Sequence, residues 1–568
     1  MRQPLRLVAP LAALALGAGC DVDTDSEPDP EPSSTIQPLT PEQHLVRASM
    51  ALRGTRPSRA DLERVADDPE ALEGVVDGYL ESDEFGRTVR DLHNETLLLR
   101  PDWLYYPAGF QPLGALADRD LVSINASVME APLRLVERVV MEDRPYGEIV
   151  TADYVMVDPI TSVVWDLPYE AGGAEWQAAK HLDGRGNAGV LTDSWLYVRY
   201  QSTPSNANRQ RANAVSRALL CYDFLDRDVE LDTNVDVADP NAVQDAVVAN
   251  AACASCHQAL DPLASFFKDV FPLIVPQDKA GYPMQSMWLP GVFEELLQID
   301  MREPSYFGQP GETLEDLGAL IADDPRFSLC AAKRFYAYFN QVDVHAVPLE
   351  RAAELQEVLV DSGMSAKALA KAVILSDDFR ASHGADLEEA EDIVGLRKAR
   401  PDELASLMHD LTGFQWLTDL SELSGGTIRE VELPRDTMLG YRVIGGGIDS
   451  AFVTRNTFTD SAGTSLFLRA FAEEASAFVV ARDLGIADPS ARRLLTLVDG
   501  SDTGEDAVRD QIVELYARVF GELVEADDEQ VGESYALFAG ALDASGDTSR
   551  AWQTLLTAMF QDVRVAYY

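Results

Sequence analysis

The segment Cys253-Ala254-Ser255-Cys256-His257 constrains this chain more than any other. Two thiols separated by two residues and followed at once by an imidazole form the order that covalent attachment of a c-type haem requires. Each thiol can bond one vinyl group of the porphyrin, and the next residue is then held beneath the iron as its axial ligand. The chain has only five Cys and seven His, so composition alone does not explain the string. The expectation is one covalent haem c, attached through Cys253 and Cys256, with His257 as the proximal iron ligand.

The N-terminus points to the compartment where such attachment takes place. Arg2 and Arg6 precede an apolar run from Leu7 to Leu16, and small residues lead to Cys20. That is the plan of a secretory signal peptide. Leu16-Gly17-Ala18-Gly19-Cys20 resembles a bacterial lipobox, with Gly17 where a Leu is usual. The expectation is removal of residues 1–19 and acylation of Cys20. The alternative is an ordinary cleaved signal with a stray Cys. Residues 20–39 are rich in Asp, Glu, Pro, Ser and Thr and read as a hydrated tether. No later stretch reaches the roughly 18 apolar residues of a spanning helix.

Acidic side chains number 95 against 46 basic ones, a net charge of −49. Nucleic acid is therefore a poor partner, because phosphate contacts need basic patches. Lys is scarce and most cations are Arg. The balance fits a solvated acidic surface suited to salty surroundings. The competing reading is an acidic face that docks a basic redox partner.

Periodicity points to a mainly α fold with minor β. Ile512, Leu515, Tyr516, Val519 and Phe520 fall on one helical face, as do Leu133, Val136 and Val140. Tyr154 to Trp165 reads as strand, interrupted by Asp158-Pro159. Three segments look like copies of one helical unit. The first runs from Pro41 to Leu92 and contains Tyr79-Leu80 before Ser82-Asp83-Glu84-Phe85. The second runs from Leu329 to Phe379 and closes on Ser376-Asp377-Asp378-Phe379. The third runs from Gln511 to Asp562 and closes on Met559-Phe560-Gln561-Asp562.

The haem segment also carries a resemblance. Leu219-Leu220-Cys221 precedes the motif, and Leu260-Asp261-Pro262-Leu263 follows it as an expected turn. Gly189-Val190-Leu191-Thr192, Asn208-Arg209-Gln210-Arg211 and Asp324-Pro325-Arg326-Phe327-Ser328-Leu329-Cys330 add to the pattern. So do Arg400-Pro401-Asp402-Glu403-Leu404, Leu411-Thr412-Gly413, Leu433-Pro434-Arg435-Asp436 and Gly440-Tyr441. With these segments the chain resembles the planctomycete-type cytochrome c proteins over most of residues 40–568. These are exported multi-domain proteins whose activity is largely undefined. Ala264-Ser265-Phe266-Phe267 replaces the Gly-Phe usual in that family after the Asp-Pro. The resemblance implies a multi-domain assembly of short-helix modules with one c-type cytochrome-like haem domain. The expected divisions are a signal peptide (1–19), an acidic lipoprotein tether (20–39) and an N-terminal helical domain (40–150). A haem c domain (151–325), a helical module (326–385) and a C-terminal helical domain (386–568) follow. Cys221 and Cys330 both match family positions, and an even pair of thiols in an oxidising compartment suggests a disulfide. Two buried apolar thiols, or a zinc held by the CxxC with distant ligands, are the alternatives.

The distal iron ligand is expected to be a Met downstream of the motif, Met284 or Met287. Met301 lies further on, and His181 is the nearest upstream His. His44, His93, His345, His383 and His409 read as surface or capping residues. Neither H-E-x-x-H nor G-x-S-x-G occurs, and Gly445-Gly446-Gly447 reads as a tight turn. Three functions fit these features. The first is an exported, lipid-anchored electron-transfer cytochrome on the periplasmic or cell-surface side, with a redox partner protein or surface ligand. The second is a haem-dependent oxidoreductase, a peroxidase or substrate oxidase, with an open distal site. The third is a cell-surface binding or assembly protein with an accessory haem.

Overall fold

The computed structural model describes residues 36–101, 114–226, 235–236, 238–271, 282–284, 286–384, 394–424, 426, 430–436 and 439–568. The expected signal peptide, Cys20 and the tether as far as residue 35 lie outside the described residues.

The architecture is mainly α, with four two-stranded antiparallel sheets among the described residues. Each of the three look-alike segments folds as three helices followed by a further capped helix. The first has Pro41–Arg53, Arg59–Asp67 and Ala71–Leu80, then enters Asp83–Leu97. The second has Pro325–Asn340, Leu349–Asp361, Ala366–Ile374 and the short Asp377–Arg380. The third has Glu505–Leu515, prolonged by a π turn over Tyr516–Phe520, then Glu529–Ser545, Thr548–Phe560 and Val563–Ala566. The closing helix starts the same way each time. Ser82 accepts from the N–H of Phe85, Ser376 from that of Phe379 and Asp562 from that of Arg564. A short polar side chain at this position satisfies an N–H that the helix start leaves unpaired. Three residues after each cap stands an apolar side chain wholly inside the core: Phe85, Phe379 and Val565.

One continuous cluster of buried residues runs from Leu45 to Tyr568 and joins the segments. Buried arginines staple it. Arg47, 1% exposed, donates to the carbonyl oxygens of Phe379 and Ala381 at 2.7 and 2.8 Å, tying the first unit to the second. Arg56 donates to Val519 O at 3.0 Å and ties the first unit to the third. Each guanidinium offers five donors, so one side chain can answer several carbonyls left over where helices end. Ile36–Pro38 pairs with Ala381–Gly384, bringing the start of the described chain against the second unit. At the other end, Tyr568 and Arg397 exchange backbone bonds of 2.8 and 2.9 Å. A disulfide joins Cys221, which caps the Arg209–Leu220 helix, to Cys330 in the Pro325–Asn340 helix.

Three expectations need correction. Only Val155–Val157 of the Tyr154–Trp165 stretch is strand, and it pairs with Gln177–Ala179. Pro159–Trp165 is helix, because Asp158 accepts from the N–H groups of Ile160 and Thr161, Thr161 completes a capping box, and Pro159 fits the first turn. His44 and His93 are not surface or capping residues. Both are buried inside helices and hydrogen-bonded, because the faces they occupy meet chain from elsewhere: His44 lies 2.8 Å from Ile374 O and His93 meets Tyr146. Finally, Asp261-Pro262 is no turn. The helix begun at Ala251 runs through it to Ser265. Pro262 forfeits one backbone bond, yet Leu260, Leu263 and Ala264 are buried around it, and that packing outweighs the loss.

Candidate functional site

The Cys253-to-His257 segment lies on the Ala251–Ser265 helix. Asn250 starts it, its side chain accepting from the N–H groups of Ala252 and Cys253 at 3.0 and 3.4 Å. The cap therefore sits directly ahead of the first thiol. On a helix, positions i, i+3, i+4, i+7 and i+8 share a face. Cys253, Cys256, His257, Leu260 and Asp261 occupy those positions. All three motif side chains are only partly buried, whereas Leu260 and the residues after it enter the core. Neither thiol is in a disulfide.

His257 is oriented by its own helix. Its Nδ1 lies 2.8 Å from Oδ1 of Asp261, one turn on. Arg209 grips the same carboxylate with Nε to Oδ1 at 2.6 Å and Nη2 to Oδ2 at 3.1 Å. Arg302 approaches from a third direction, 3.7 Å from Oδ2, and donates to the carbonyl oxygen of His257 at 3.3 Å. Burial pulls the Asp261 carboxyl upward, but the bonds from His257 and Arg209 outweigh it and bring it down to about 2. An ionised carboxylate only accepts, so Nδ1 of His257 is the protonated nitrogen and donates. Among the described residues Nε2 has no hydrogen-bond partner, which leaves it open to a further ligand. A donor set of two thiols and one oriented imidazole nitrogen on one accessible helix face fits a covalently bound haem.

The distal candidates are held by contacts of their own. Met284 and Met287 are both buried in the core. The backbone N–H of Met284 donates to Val164 O, and that of Phe271 to Met287 O, so Met287 is tied to chain beyond the C-terminal end of the motif helix. Ser286, between the two, donates to Asp183, two residues from His181. His181 is half-buried, with its Nε2 enclosed and unpaired among the described residues, and desolvation followed by the neighbouring Arg185 pushes its pKa down to about 3. Met284, Met287 and His181 thus belong to one corner of the molecule. Met301 adjoins Arg302, the residue that touches His257 and Asp261. Residues 272–281 and 285 lie outside the described residues. Among the described residues no three His, Cys, Asp or Glu side chains form a group that could hold a metal ion by themselves.

Asp261 and Arg209 fall in segments that the resemblance covers but have no assigned role there, and Arg302 belongs to no motif. The spacing of His257 and Asp261, four apart, was the available signal. The arginines come from distant chain and left none.

Compared with family models, with curated proteins and with solved structures, the chain matches none.

Proposed function

We propose that this chain is an exported c-type cytochrome that carries one covalent haem and transfers electrons, resembling the planctomycete-type cytochrome c proteins. The observation that carries the reading is the capped helix face on which Cys253, Cys256 and the oriented His257 stand together. Cys253 and Cys256 would hold the porphyrin and His257 the iron. When bound, that group supplies a one-electron redox centre. The partly exposed motif face gives electrons a short path to a docked partner, while Leu260 and Leu263 root the helix in the core. Cys20 is the proposed lipid site, anchoring the body to a membrane on the periplasmic or cell-surface side through residues 20–39. Two acyl chains on one Cys meet the requirement for stable anchoring. Met284 or Met287 is the proposed distal ligand.

Expression in a host that attaches haem c tests the reading. Denatured protein should retain haem stain on a gel, and Cys256→Ala should retain at most a single thioether. Loss of all haem on acid–acetone extraction of the native protein would overturn it. Intact mass should show the lipid increment on Cys20, and a mature N-terminus beyond Cys20 would refute the anchor. A Met-ligated ferric haem shows a weak far-red charge-transfer band, which should vanish in Met284→Ala or Met287→Ala. A five-coordinate spectrum that shifts with peroxide would move the assignment to a haem-dependent oxidoreductase.

A further inference from the structure

We infer that Asp261 is a positioning residue for His257, and that its carboxylate, fixed in place by Arg209 and Arg302, holds the redox centre at a lower reduction potential than a neutral acceptor at Nδ1 would. The inference rests on the haem reading above.

Three features carry it. First, the acceptor at Nδ1 is a carboxylate rather than a backbone carbonyl or water. A full negative charge one hydrogen bond from the ring raises the electron density that Nε2 offers, and so favours the more positive, ferric iron. Second, the Asp261 side chain is 10% exposed, so solvent does little to screen that charge. Third, the carboxylate cannot swing away. Arg209 binds both of its oxygens, and Oδ1 accepts from Arg209 and His257 together. The two guanidinium groups also restrain the carboxylate from the side away from the imidazole ring.

The geometry fixes ring orientation as well. Asp261 lies one helical turn beyond His257 on the same face, and Arg302 binds the His257 carbonyl and the Asp261 carboxylate together. Helix, ring and carboxylate therefore form one rigid unit, with Nε2 directed away from the carboxylate.

Arg302 gives the test its sign. Removing the Asp261 charge should favour ferrous iron. Removing the Arg302 charge leaves the carboxylate less compensated and should favour ferric iron. A merely structural role gives no reason for opposite shifts.

The experiment is spectroelectrochemical titration of the haem-loaded full chain, as wild type, Asp261→Asn and Arg302→Gln. Asp261→Asn should shift the ferric–ferrous equilibrium about tenfold or more toward ferrous iron, about 59 mV for one electron. Arg302→Gln should shift it the other way. Haem-stained Asp261→Asn protein with an unchanged potential would overturn the inference and leave the cytochrome reading intact. Should Asp261→Asn not fold, Arg302→Gln carries the test alone: a lowered potential supports the inference, and an unchanged or raised one overturns it. Wild-type protein without haem stain would instead overturn the cytochrome reading.

Discussion

His93 stands between the carbonyl oxygen of Val89, 2.7 Å from Nδ1, and the hydroxyl of Tyr146, 2.8 Å from Nε2. Nδ1–H donates to the carbonyl, and Nε2 accepts from the Tyr146 O–H. Only the neutral ring can do both. Burial pushes the His93 pKa down to about 4. His44 is pushed to about 4 as well, by burial first and then by Arg380, Arg47 and Arg397. The unfolded chain binds these protons at about pH 6.5, whereas the folded chain resists them to about pH 4. Stability contributed by the neutral rings is thus present above about pH 6.5 and lost as the pH falls toward 4. The loss approaches about 3 kcal/mol per ring. Urea midpoints measured from pH 7 to pH 4 should fall more steeply for wild type than for a His44→Asn/His93→Gln variant. Parallel curves would show that the rings contribute nothing.

The Cys221–Cys330 bond joins residues 109 apart in sequence, and the loop it closes contains the motif helix and Arg302. In the chain-entropy account, a loop of that length is worth about 4 to 5 kcal/mol. Reductant should therefore lower the unfolding midpoint of wild type and leave a Cys221→Ala/Cys330→Ala variant unmoved, already at the lower value. Equal midpoints for oxidised wild type and the variant would contradict this.

Asn250 caps the motif helix, and its removal should cost about 1 kcal/mol locally. Asn250→Ala should then speed amide exchange at Ala252 to Ala254 while leaving the buried Leu260–Ala264 segment protected. Unchanged exchange at the first turn would assign the capping to another group.

Much of this fold was legible from short-range pattern. The face of Ile512, Leu515 and Tyr516 became helix because periodicity and burial coincide there. The likeness of the Ser82 and Ser376 segments was visible in the sequence, and the cap each one forms depends on residues only three apart. Three properties were hidden for one physical reason, that their partners are remote. His93 became a core residue through Tyr146, 53 positions away. Arg47 reaches Phe379 and Ala381 more than 300 positions on. Arg302 meets His257 only because the chain returns to that helix. That two thiols and an imidazole stand close together was legible, because five consecutive residues carry them. The charge environment that governs them was not, since a periodic pattern records which face is apolar and not what arrives to cover it.

The pairing of Ile36–Pro38 with Ala381–Gly384 has a mechanical consequence. A pull on the N-terminal segment enters the body across that short ribbon and the bond from Leu39 N–H to Arg380 O, before any load reaches the Pro41–Arg53 helix. The ribbon would act as a fuse. Its few backbone bonds yield first, and the chain can pay out there while the packed helices and the motif face keep their shape.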